Sequence, residues 1–105
     1  MPQFAVYRNK GSRSKGAYPL LLDVQTELLE DLDTRVVIPL SCAATLLEFP
    51  LRHLTPTVRF DGRAYALMTP QLANIARADL GPRMGTVAEQ QRAITAAVDF
   101  LLRGF

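Results

Sequence analysis

The segment Thr55-Pro56-Thr57-Val58-Arg59-Phe60, Asp61-Gly62, Arg63-Ala64-Tyr65-Ala66-Leu67-Met68 leaves this chain little conformational choice. Two β-prone runs flank a dipeptide that reaches positive φ at low cost, as both central positions of a two-residue turn with the right twist require. The segment predicts an antiparallel hairpin. A hairpin cannot stand alone, so the rest of the chain has to supply the sheet.

Several stretches can do so. Gln3-Phe4-Ala5-Val6-Tyr7 alternates and is rich in aromatics. In Tyr18 to Gln25, Leu20, Leu22 and Val24 fall on one face of a strand, and Leu21, Asp23 and Gln25 fall on the other. Arg35-Val36-Val37-Ile38-Pro39-Leu40 is a compact apolar strand, and Pro39 is expected at its edge or exit because proline donates no hydrogen bond. Ser41 is placed to cap a short helix through Ala43, Ala44, Leu46 and Leu47, closed by Pro50. Pro70 and Gly81-Pro82 read as punctuation.

Thr86 to Leu102 is the strongest helix signal. Thr86-Val87-Ala88-Glu89 has the pattern of a capping box. Ile94, Val98 and Leu101 recur as one apolar stripe, and Ala93, Ala96 and Ala97 permit close approach to a sheet. The expected fold is mainly β: a small barrel or α+β domain covering residues 1–105, with about five antiparallel strands, a short middle helix and a C-terminal helix. The run then stops at Arg103-Gly104-Phe105 without a polar tail. A helix cap accounts for Gly104 and the helix dipole for Arg103. Neither accounts for Phe105, which is expected to dock into a core or face a partner.

Hydrophobic residues make up 49% and charged residues 21%, which suits a globular chain. The net charge of +2 is a weak argument for nucleic acid, whose binders concentrate charge in a patch. One basic cluster exists, Arg8, Lys10, Arg13 and Lys15, set among Gly11, Ser12, Ser14 and Gly16. It reads as a solvated hairpin loop or as a landing site for an acidic partner. A single cysteine, Cys42, excludes an intrachain disulfide, suits a reducing compartment, and is expected as a small core residue. Met1-Pro2-Gln3 begins no signal peptide, and the longest charge-free stretch, Val36 to Leu47, is too short to span a bilayer. A soluble, cytoplasmic protein without membrane contact is expected.

Signals for chemistry are sparse. His53 is the only histidine, so with one cysteine no zinc ligand set can be assembled. No phosphate-binding glycine loop or nucleophile elbow is present. Asp23, Glu27, Glu30, Asp31 and Asp33 could supply a carboxylate pair, but a solvated face is the expected state. No catalytic residue, cofactor or metal is expected.

Taken in order, Gln3-Phe4-Ala5-Val6-Tyr7, Leu22-Asp23-Val24-Gln25-Thr26, Arg35-Val36-Val37-Ile38-Pro39-Leu40, Leu67-Met68-Thr69 and the final helix with its penultimate glycine resemble the CcdB family of toxins over nearly the whole chain. The resemblance implies an SH3-like β-barrel with a C-terminal helix, assembled as a homodimer. It implies a toxin that binds the DNA gyrase A subunit, traps gyrase on cleaved DNA, and is neutralised by an antitoxin with a disordered acidic tail. Carried onto this chain, the gyrase-binding positions are Asp99, Leu102, Arg103, Gly104 and Phe105, flanked by Thr26, Leu28 and Leu29. Gln3, Phe4 and Tyr7 line the region less directly, and Arg8, Lys10, Arg13 and Lys15 suit the antitoxin. The family pattern ends in Trp-Gly-Ile where this chain has Arg103-Gly104-Phe105. Asp99, one turn before Arg103, could supply the carboxylate that an arginine facing an arginine would need. Two alternatives stand beside this one. One is a ribonuclease toxin of the MazF/Kid type, which shares the barrel and would use His53, Arg59 and Asp61. The other is a non-toxic homologue that retains antitoxin binding.

Overall fold

The computed structural model describes residues 2–11, 16–42 and 53–104. The hairpin forms as its sequence requires. Asp61 and Gly62 take φ values of 52° and 76°, and they join β4 (Thr57–Phe60) to β5 (Arg63–Leu67) with Phe60 opposite Arg63. Five further strands are β1 (Ala5–Asn9), β2 (Leu20–Asp23), β3 (Thr34–Cys42), β6 (Ala73–Ala76) and β7 (Leu80–Thr86). The described residues build one seven-stranded antiparallel sheet in the order β4-β5-β3-β2-β1-β7, with β6 also paired to β3. This sheet curls into a half-barrel of the SH3-like type, and helix α1 (Gln91–Arg103) follows it.

One face of the sheet holds the main core. Val6, Leu20, Leu22, Ile38, Leu40, Val58, Tyr65 and Leu67 pack there with Val87, Ile94 and Ala97, while Val98 adds partial cover. Ile94 is fully buried, which stabilises the docked helix by about 1.5–3 kcal/mol. Leu101, expected on the same stripe, lies at the rim and is 37% exposed. The opposite face carries a smaller cluster of Ala5, Tyr7, Leu21, Val37 and Leu80, with Ile75 against it. Being covered on both faces, β2 can read Leu-Leu-Leu without alternation.

Four expectations change. Gly81-Pro82 lies inside β7, an edge strand whose register against β1 is irregular there, so the lost donor is tolerated. Pro39 lies within a central strand. Its carbonyl accepts from Met68 N–H at 2.9 Å, so its missing donor faces the same edge. There β3 changes partner from β6, paired over Thr34–Val37, to β5, paired over Leu40–Cys42. Cys42, at the end of β3, is exposed rather than in the core. The capping box does not close either. Thr86 Oγ1 accepts from Ala88 N–H at 3.2 Å, and a 3-10 turn (Ala88–Gln90) precedes the helix. The proposed middle helix over Ala43–Leu47 lies outside the described residues.

Candidate functional site

The N-terminal residues stitch the sheet to the helix. Phe4 N–H donates to Asp23 O at 2.6 Å, and Phe4 O accepts from Val87 N–H at 3.0 Å and from Thr86 Oγ1 at 3.3 Å. Those bonds hold Phe4 at φ 69°, a left-handed conformation that a bulky residue seldom adopts and that accumulates at functional sites. Gln3 and Phe4 form one wall of an open groove, and Gln91, Arg92, Thr95, Ala96 and Asp99 of α1 form the other. Asp99 therefore lies on a recess and not on a bare helix face.

Gln3 also ties this groove to the loop after β2. Its Nε2 donates to Val24 O at 3.0 Å, and its backbone N–H donates to Glu27 Oε1 at 3.3 Å. Thr26 caps the 3-10 turn Glu27–Leu29 by accepting from Leu28 N–H at 3.3 Å. Leu28 is 91% exposed, Leu29 46% and Leu32 47%. The positions expected on the flank thus meet the Asp99 groove across Gln3. Tyr7 does not, because strand alternation turns it onto the other face of the sheet, with Leu21 and Val37.

At its far end α1 stays apolar outside the core. Leu102 is 72% exposed and Arg103 is exposed beside it. Gly104 ends the helix in the left-handed conformation, φ 81°, with its N–H on Phe100 O at 2.9 Å. Phe105 lies outside the described residues.

The basic loop leaves the opposite end of the β1–β2 hairpin. Arg8 Nη2 lies 3.9 Å from Met84 Sδ, and Lys10 Nζ donates to Ala78 O at 3.1 Å, so both exposed cations are steadied by the β6–β7 region. Arg13 and Lys15 lie outside the described residues.

The residues considered for RNA cleavage do not converge. Arg59 and Asp61 line a cleft with Met84, Gly85, Thr86 and Glu89. His53 instead stacks on Phe100, ring centroids 5.0 Å apart. Gln90, which holds the backbone of Arg59, is ten residues before Phe100, roughly 15 Å along a helix axis. Among the described residues no group of three His, Cys, Asp or Glu is placed to hold a metal ion, and no helix is long and apolar enough to cross a membrane.

One arrangement was not expected. Asp23 and Arg35 are both fully buried and form a two-pronged pair, Nε to Oδ2 at 2.8 Å and Nη2 to Oδ1 at 3.0 Å. Asp23 therefore does not lie on a solvated face. On that face Ile75 and Leu80, from the two strands the sequence concealed, pack with Ala5, Tyr7, Leu21 and Val37.

The family described as CcdB protein matches this chain over residues 3–104. Among solved structures, an endoribonuclease in complex with its cognate antitoxin from mycobacterial species is similar over 97% of this chain and 94% of that one. The TM-score is 0.76 and the identity 16%, a likeness of fold.

Proposed function

This chain belongs to the CcdB family, and from that we propose that it is the toxin of a type II toxin–antitoxin pair, binding the DNA gyrase A subunit and trapping gyrase on cleaved DNA. The observation that carries this reading is the helix end: Leu102 is 72% exposed on a helix whose Ile94 and Ala97 are buried. Leu101, 37% exposed, stands next to Leu102, and adjoining exposed apolar side chains of this kind suit a partner surface. The groove at Asp99 and the exposed Leu28 and Leu29 extend the same surface.

In this reading the protein acts in the cytoplasm as a homodimer, by protein contact and without a catalytic group. Asp99 and Arg103, one turn apart, present both charges to a target surface that carries arginine. An acidic antitoxin tail meets Arg8, Lys10, Arg13 and Lys15 and folds as it binds. Purified protein added to gyrase and supercoiled plasmid tests the proposal. Cleaved-DNA complexes should accumulate with the protein and disappear with L102D. A protein that binds no gyrase A fragment and traps no cleaved DNA refutes it.

The fold shared with an endoribonuclease favours a second reading, an RNA-cleaving toxin. The separation of His53 from Arg59 and Asp61 weighs against it. Cleavage of a defined RNA by stoichiometric protein, lost in R59A and D61A, would establish it instead.

A further inference from the structure

The Asp23–Arg35 pair is sealed from solvent, so it can contact neither substrate nor partner. Nor is stability a sufficient account of it. Desolvating two charges offsets most of their attraction, and apolar residues of similar volume often serve the fold equally well. What distinguishes this pair is what hangs from it.

Gln25 is bound to the pair by its backbone: its N–H donates to Asp23 Oδ1 at 3.0 Å and its carbonyl accepts from Arg35 Nη2 at 3.3 Å. Its side chain is held as well. Oε1 accepts from Val36 N–H at 2.9 Å, and Nε2 donates to Leu29 O at 3.1 Å. Every polar atom of Gln25 is thereby engaged, and the last of these bonds reaches the turn that carries Leu28 and Leu29. A leucine on a loose turn loses conformational freedom when it is captured, which offsets what its burial contributes. Held in place beforehand, it binds without that penalty.

We propose that Asp23 and Arg35, acting through Gln25, are positioning residues that pre-set the Leu28–Leu29 turn for the gyrase A subunit. The identity of the partner rests on the function proposed above; the positioning itself does not.

Two variants separate this role from general stability. D23L/R35M replaces the pair with apolar side chains of similar size. Q25E keeps an acceptor for Val36 N–H and removes the donor to Leu29 O. Each is examined by thermal melting, by amide exchange at Leu28 and Leu29, and by affinity for the gyrase A dimerisation-domain fragment. The expected result is faster exchange in the turn and affinity about tenfold weaker, both beyond what the fall in melting temperature accounts for, with no further loss when Q25E is added to L28A. Wild-type exchange and affinity in Q25E would overturn the proposal, even if D23L/R35M fails to fold. So would losses from Q25E and L28A that simply add. If the wild-type protein binds no gyrase fragment, the functional reading falls. Exchange in Q25E then decides the positioning role, and unchanged protection of Leu28 and Leu29 would refute it.

Discussion

The side-chain amide of Gln90 pairs with the backbone of Arg59 as a neighbouring strand would, accepting from its N–H at 2.9 Å and donating to its carbonyl at 2.6 Å. Arg59 lies on β4, at one edge of the sheet, and its N–H and C=O face away from β5. Gln90 immediately precedes α1. One amide therefore occupies part of an edge otherwise open to other strands, and it fixes where the helix leaves the barrel.

Replacing Gln90 with alanine should remove both bonds. With each worth about 0.5–1.5 kcal/mol, Q90A is expected to lower stability by about 1–3 kcal/mol in urea denaturation. Amide exchange at Arg59 should rise with it, whereas an equally destabilising core variant would leave Arg59 no more affected than its neighbours.

Gly81 leaves no room for a side chain. A Cβ there would collide with the Arg8 carbonyl oxygen, a backbone atom that can move only with β1. G81A should destabilise by about 1–3 kcal/mol, read from the denaturation midpoint. An unchanged midpoint would mean that β7 does not approach β1 as closely as described.

Burial raises the Tyr7 phenol above its ordinary value of 10.0. Asp23 adds to the rise, and Arg83, Arg35 and Arg77 act against it. The folded state therefore holds this proton more tightly than the unfolded one. That contribution is complete below pH 10.0 and is lost as pH climbs through the raised folded value. Wild-type protein should lose stability more steeply above that pH than Y7F, and parallel alkaline curves would refute the assignment.

Exposed and buried positions on α1 should separate binding from folding. I94A is expected to lose about 2–5 kcal/mol, because Ile94 is fully buried. L102D should lower stability by no more than about 1.5 kcal/mol, from a carboxylate set against the helix dipole and Asp99, while abolishing capture of the gyrase A fragment. Retained capture by L102D would remove the helix end from the interface.

Much of the sheet was legible because local rules govern it. The Asp61-Gly62 turn, the Leu20, Leu22 and Val24 face, and the Ile94 stripe each depend on residues within a few positions of one another; the first two appear as read, and the stripe holds at Ile94 and Val98 but not at Leu101. β6 and β7 were hidden. Ala73–Ala76 has weak strand character, and Gly81-Pro82 carries the mark of a turn, yet both strands form because β3 and β1 offer unpaired edges. Of the surface positions inferred from family resemblance, Thr26, Leu28, Leu29 and Asp99 lie around Gln3, but no local pattern signals that Gln3 joins the Thr26 turn to the Asp99 groove.

Sequence alone determined the hairpin, the face each strand residue takes, the amphipathic helix and the family. Only the tertiary structure decided what each face meets. Alternation turns Asp23 away from the main core, but whether the other side is water or protein depends on β6 and β7 pairing where they bring Ile75 and Leu80 to that face. The same holds for Arg35 paired with Asp23, for Pro39 at the handover from β6 to β5, and for Gln90 on Arg59. Each requires two or more segments distant along the chain to meet, and the periodicity of one segment carries no record of which other segment will cover it.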